Sequence, residues 1–181
     1  MNKLATLTTM LVMLFAFTFT ANAQAPYRHS IGATVGNMQA FCYKTFPTSN
    51  FAIQIDAGEK FTVGAGHTRG WGGWSSTFGT VGANVNFLYE PNATGGLYWF
   101  IGGGPSLGYW WSEIDHGRLY NVHGDWGKFG INAMGGIEYK FNIPLALQFD
   151  FRPGYGLMFD GYDNTISYFD WSVNAGVRYT F

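Results

Sequence analysis

The chain has 181 residues, and only 12% are charged, about half the share usual in soluble domains. Aromatic residues make up 19% and glycine occurs 26 times, so there is too little charge to cover a soluble surface. The net charge of −1 argues against nucleic-acid binding, and a single cysteine, Cys42, excludes a disulfide framework.

The N-terminus reads as a secretory signal. Lys3 gives a positive n-region, residues 11–19 are apolar, and Ala21-Asn22-Ala23 is a small-x-small cleavage site. Residues 1–23 are therefore expected to be a cleaved signal peptide, and residues 24–181 a single domain. The apolar stretch is broken by Thr18 and Thr20. Nowhere else do about 18 apolar residues run together, so no transmembrane helix is expected. Cys42 lies far past the cleavage site and reads as a small side chain within a strand.

Eight strands are predicted after the signal, at residues 29–36, 39–46, 51–62, 77–90, 96–111, 126–141, 145–158 and 167–181. A tight connection at Asn37-Met38 joins the first two. Residues 47–50, 91–95 and 142–144 are short connections rich in turn residues, whereas 68–76, 112–125 and 159–166 are longer. With the short turns periplasmic, both termini are periplasmic and the long loops face outward. An even strand count with this asymmetry is the pattern of an outer-membrane barrel.

The strands share one pattern. In the last, Phe169, Trp171, Val173, Ala175, Val177, Tyr179 and Phe181 alternate with Asp170, Ser172, Asn174, Gly176, Arg178 and Thr180. In the seventh, Leu145, Leu147, Phe149 and Phe151 alternate with Ala146, Gln148, Asp150 and Arg152. The third, fourth and sixth strands alternate likewise. Periodicity alone leaves the direction open, since a soluble lipocalin-like barrel alternates with its apolar set inside. The polar set here is mostly Gly, Asn, Ser and Thr, a poor solvent surface. The apolar set is bulky and aromatic near strand ends, as in interfacial girdles. An eight-stranded barrel is just wide enough inside for small polar side chains. The fold class is therefore all-β: a transmembrane up-and-down antiparallel β-barrel of eight strands.

With its signal, eight amphipathic strands, alternating connections and terminal Val177-Arg178-Tyr179-Thr180-Phe181, the chain resembles the small outer-membrane barrels of Gram-negative bacteria, the OmpX type and the OmpA transmembrane domain among them. The resemblance covers essentially the whole mature chain. It implies outer-membrane localisation, a lipid environment, and an assembly signal at Tyr179 and Phe181 for the barrel-assembly machinery. It does not single out a function, since that family includes pores, adhesion proteins, enzymes and scaffolds.

The inward parity carries Lys44, Lys140, Arg152 and Arg178 against Asp56, Glu138, Asp150 and Asp170. Unpaired buried charge is costly, so these are expected to form an ionic network that plugs the lumen, with a gated pore or proton path as the functional alternative. Gly136 should lie opposite Asp150 and make room for it. Glu59 breaks the parity, which places it above the outer membrane edge or after a bulge at Gly58. The aromatic girdle is assigned to Phe46, Tyr89, Tyr139, Phe141, Tyr179 and Phe181 at the periplasmic side, and to Trp110, Trp111, Trp126 and Trp171 at the outer side. A stacking surface of Trp71, Trp74, Trp110 and Trp111 is the alternative use of those tryptophans.

Ser112, Asp115, His116, His123 and Asp125 are the one cluster that could serve a lipid-modifying enzyme, but no nucleophile motif surrounds them. Asp160-Gly161-Tyr162-Asp163-Asn164 lacks the spacing of a calcium loop, and Gly102-Gly103-Gly104 is not followed by a helix, as a phosphate loop would be. No catalytic residue, metal or cofactor is assigned. The expected product is a monomeric outer-membrane barrel with a structural or surface-interaction role and an extracellular ligand of unspecified chemistry. A narrow porin-like channel and a lipid-modifying enzyme are the alternatives.

Overall fold

The computed structural model describes residues 25–67, 73–115, 121–160 and 165–181. Its strands are β1 (His29–Gly36), β2 (Gln39–Thr48), β3 (Phe51–His67), β4 (Gly73–Tyr89), β5 (Asn92–Thr94), β6 (Leu97–Asp115), β7 (Asn121–Lys140), β8 (Leu145–Phe159) and β9 (Thr165–Thr180). Each long strand pairs antiparallel with the next, and β4 pairs with β6 past the short β5. The ring closes where β1 meets β9, from Ser30 opposite Thr180 to Gly36 opposite Asn174. At that seam the His29 and Phe181 backbones exchange two hydrogen bonds, at 2.9 and 2.8 Å. The result is an eight-stranded up-and-down barrel, and closure leaves no free edge along the seam.

β5 belongs to the tight connection after Glu90. Gly95 turns the chain there with φ +54°, a left-handed conformation natural to glycine, and its carbonyl accepts from Asn92 Nδ2 at 2.8 Å.

The barrel is apolar outside and polar inside. On β8, Ala146, Gln148, Asp150 and Arg152 are buried, while Leu147, Phe149 and Phe151 are exposed. Phe149 is 52% exposed and its neighbour Asp150 is 0% exposed. Val177, Ile137 and Phe41 likewise face outward. A soluble barrel would reverse this arrangement, because the hydrophobic effect rewards burying the apolar set wherever water is outside.

Four strands run further than their hydropathy suggested. β3 and β4 reach His67 and Gly73, and β6 and β7 reach Asp115 and Asn121, so much of the long loops expected at 68–76 and 112–125 is strand. Beyond the apolar belt both faces of a hairpin are free to be polar, so alternation fades while cross-strand pairing continues to satisfy the backbone. Glu59 sits on the exposed parity opposite Gln39, at the level of the first hairpin, and the register passes Gly58 without a bulge. The segment expected to be a signal peptide, together with Trp71, His116 and Asp163, lies outside the described residues.

Candidate functional site

The lumen holds three charged layers. At the end bearing the short turns and both termini, Lys44, Glu90, Glu138 and Arg178 are all fully buried. Lys44 Nζ donates to Glu138 Oε2 at 3.0 Å and forms a second ion pair with Glu90. Arg178 Nη1 pairs with the same Glu138 oxygen, its Nη2 donates to Gln54 Oε1 at 2.8 Å, and its Nε points at Cys42 Sγ at 3.3 Å. Tyr27, ahead of β1, donates its hydroxyl to Glu138 Oε1 at 2.7 Å. Glu138 thus accepts from three donors on three separate parts of the chain.

Gln54 links this layer to the next. Its Nε2 donates to Asp56 at 2.9 and 3.1 Å. Arg152 forks onto Asp150 through Nε and Nη2, at 2.5 and 3.2 Å, and reaches Asp56 through Nη1 at 2.8 Å. Gln148 and Asn174 complete Asp150 at 2.7 and 3.1 Å, and Asn86 donates to Asp56 at 3.2 Å. Such a planar fork suits Arg, and the surrounding amides satisfy carboxylate lone pairs that burial removes from water.

The third layer lies at the long-hairpin end. Asp170 pairs with Lys60, and with Lys128 at 3.5 Å; it also accepts from the Trp171 backbone at 2.8 Å. These groups are only partly buried. Above the Arg152 layer the lumen opens into two adjoining cavities of about 100 and 240 Å³ that share Lys60, Thr80, Lys128, Tyr168 and Asp170. From that layer down, Lys44, Gln54, Asp56, Glu138, Asp150 and Arg178 are all fully buried. An apolar cluster of Phe46, Ala52, Leu88, Phe100 and Met134 closes the turn end, with Ala25 and Tyr27 packed against it. Tyr27 meets Phe46 edge-on at 5.1 Å, and Lys44 lies 5.3 and 5.1 Å from the Phe46 and Phe100 ring centres.

Several sequence assignments need correction. Lys140 is not in the lumen network: its ammonium caps the carbonyls of Phe141 and Ile143 in the short turn, where the last residue of a strand reaches the rim more readily than the axis. Phe46 is buried in the lumen, on the same parity as Lys44, and so is no girdle residue. Trp110 and Trp126 face each other across β6–β7 on the parity of Ser106 and Lys128, and Trp110 lines the larger cavity. The unbroken β6–β7 register fixes this, because no bulge intervenes to move them to the outer face. Trp111 is on the opposite face from Trp110, its ring over Gly79, so the two cannot share one stacking surface.

The other girdle positions lie on the outer face. Tyr89, Tyr139, Tyr179 and Phe181 are exposed at the turn end, with Tyr139 and Phe141 rings 4.8 Å apart and Tyr179 and Phe181 6.1 Å apart. Trp99 joins them, 5.9 Å from Tyr89. Trp171 is exposed toward the other end, 6.5 Å from Phe151.

Gly136 does lie opposite Asp150, but the space above it is taken by the Phe100 ring: a Cβ there would come within 2.7 Å of Phe100 Cζ. Ser112 and His123 stand in the β6–β7 hairpin opposite Gly124 and Glu113, respectively, and the Asp125 carboxylate accepts from Tyr109. Among the described residues no His, Cys, Asp and Glu side chains group as metal ligands.

Tyr27, Glu90, Lys60 and Lys128 were not singled out, although three had a signal. Glu90, Lys60 and Lys128 fall on the inward parity of strands whose alternation is clear. Tyr27 had none, because it precedes the first strand and enters the lumen from the end.

No protein-family model and no curated protein sequence matches the chain. Solved structures do. The N-terminal β-barrel domain of Pseudomonas aeruginosa OprF superposes with a TM-score of 0.51 at 14% identity, covering 84% of this chain and 95% of that one. Neisserial surface protein A gives 0.50 at 15% identity, over 84% and 93%. A major outer membrane protein from Thermus thermophilus gives 0.51 at 12% identity, over 85% and 98%. Identity this low speaks to architecture alone, and the architecture of this chain is that of the eight-stranded outer-membrane β-barrels.

Proposed function

We propose that the protein is an integral outer-membrane barrel whose lumen is closed to ions, and that its role is structural or in surface interaction. The observation that carries this reading is the contrast across the barrel wall. Large apolar side chains such as Phe149 and Val177 are exposed, while Lys44, Arg178, Glu138 and Asp150 immediately inside are fully buried and paired. A hydrocarbon surround makes the first favourable, and paired charges that fill the lower lumen support a closed barrel. The short turns and both termini are then periplasmic, the long hairpins meet the exterior, and Tyr179 and Phe181 end the strand that the barrel-assembly machinery would engage. Removal of residues 1–23 during export belongs to the same reading. The partner in the resting state is membrane lipid.

The reading is tested by reconstitution in planar bilayers. A closed lumen predicts no discrete conductance steps at moderate voltage, whereas a narrow porin-like channel predicts stepwise ion currents. Purified mature chain that is monomeric and β-folded in plain buffer would contradict the membrane assignment itself.

A further inference from the structure

Residues of the outer cavity make up a site of mixed chemistry that the plug does not need. Lys60 and Lys128 share one carboxylate, Asp170, so two ammonium groups meet a single anion at this height. The layer beneath has the reverse balance, Arg152 against Asp56 and Asp150, and its carboxylates are taken up locally by Arg152 and by the amides of Gln54, Asn86, Gln148 and Asn174. Each ammonium has three donors. Lys60 uses two, on Asp170 and on the Trp171 carbonyl at 2.8 Å. Among the described residues Lys128 has one polar contact, the long 3.5 Å one to Asp170, and rests 4.2 Å from the Tyr168 ring centre. Donors on both lysines therefore remain for a further acceptor.

Tyr168 holds Lys128 in place. Its side chain lies along the inner wall over Gly156 and Gly130, where an added Cβ would come within 2.9 Å of the ring and 2.7 Å of the hydroxyl, and its hydroxyl bonds Ser106 on the next strand. The ring is thus anchored on one side and presents its face to the cation, so the ammonium is positioned rather than free to fold away. Trp110 and Met158 stand in the same wall, Met158 cross-strand from Lys128 and Trp110 cross-strand from Thr80.

We propose that this vestibule binds a small organic anion carrying a ring. Its carboxylate or phosphate group meets Lys60 and Lys128, and its ring lies on Trp110 and Met158. A volume of about 240 Å³ has room for a single ring with one charged substituent. The proposal holds whether or not the barrel conducts, since it concerns only the hairpin end above the Arg152 layer.

The test is calorimetric titration of the folded protein in detergent with benzoate, and with benzyl alcohol, the same ring without the charge. The Lys60→Met and Lys128→Met variants are titrated beside it, each first checked for retention of the compact, heat-modifiable gel band. Saturable benzoate binding is expected, with benzyl alcohol about tenfold weaker or worse and each lysine variant weakened about tenfold. Glucuronate and inorganic phosphate separate the ring contribution from the charge: phosphate alone should bind more weakly than either ring-bearing anion. Absence of saturable benzoate or glucuronate binding, equal binding of benzyl alcohol, phosphate binding as tight as the ring-bearing anions, or folded lysine variants that bind as the parent does would each overturn the proposal.

Discussion

Replacing Glu138 by Leu should be among the most damaging single changes in the lumen. Glu138 accepts from Tyr27, Lys44 and Arg178, and all four groups lie within the closed half of the barrel. After the change Lys44 retains Glu90, but Arg178 keeps only Gln54 and Cys42, so a fully buried guanidinium loses its carboxylate. Breaking a buried pair in this way costs about 3–5 kcal/mol. Lys60→Met is the matched control. Lys60 is 24% exposed and its partner Asp170 is 34% exposed and keeps Lys128, so the loss should be at most about 1 kcal/mol. Glu138→Gln should fall between them, since it keeps the shape and one acceptor. With a urea slope of about 2 kcal/mol/M, the midpoint should drop by about 2 M for the Leu variant and by at most about 0.5 M for the control. Unfolding in detergent, followed by the heat-modifiable gel shift, measures all three. Equal midpoints for Glu138→Leu and Lys60→Met would mean that water reaches and screens the inner layer, and the plugged-lumen account would fail.

Tyr27→Phe removes one donor to a buried carboxylate without changing the packing on Phe46, and should cost about 1.5–3 kcal/mol in the same unfolding assay. Gly136→Ala places a methyl against the Phe100 ring and the Phe149 carbonyl and should destabilise by about 1–3 kcal/mol, whereas Gly135→Ala, whose Cβ meets nothing closer than 3.8 Å, should be near neutral. The folded chain should require detergent or lipid and should migrate faster on gels unheated than boiled, because a closed barrel has no free edge from which to unzip; identical migration would count against closure.

How far the sequence reached depends on which signal each feature leaves. The barrel was legible because hydrocarbon outside and a narrow lumen inside impose a strict two-residue period, as Leu147, Gln148, Phe149 and Asp150 show. That same period already carried Glu90, Lys60 and Lys128 into the lumen, and it contradicted the girdle assignment of Phe46, Trp110 and Trp126. Those aromatics were sorted by residue type and height, while the register obeyed parity alone. Lys140 shows the opposite limit: its parity is inward, yet at a strand end a long side chain finds the turn carbonyls first. Hairpin length was not legible, since paired strands above the membrane need no apolar face. Nor was Tyr27, whose place depends on a three-dimensional gap between Phe46 and Glu138 rather than on any local pattern.

The central claim is that the apolar parity faces lipid and the charged parity faces a closed lumen. A spin-label scan along β8 in lipid vesicles tests it most directly, with single cysteines at positions 146–157 labelled before folding or, at outward sites, after it. Native Cys42 is 2% exposed and would be replaced by Ala in the pre-labelled series. Labels at Leu147, Phe149, Phe151, Tyr155 and Leu157 should collide with oxygen dissolved in the bilayer, and labels at Gln148 and Asp150 should collide with neither oxygen nor a water-soluble nickel chelate. Nickel-chelate contact at Gln148 and Asp150 would reveal a wet channel, and an inverted alternation, with the even positions reporting the hydrocarbon, would contradict the account outright.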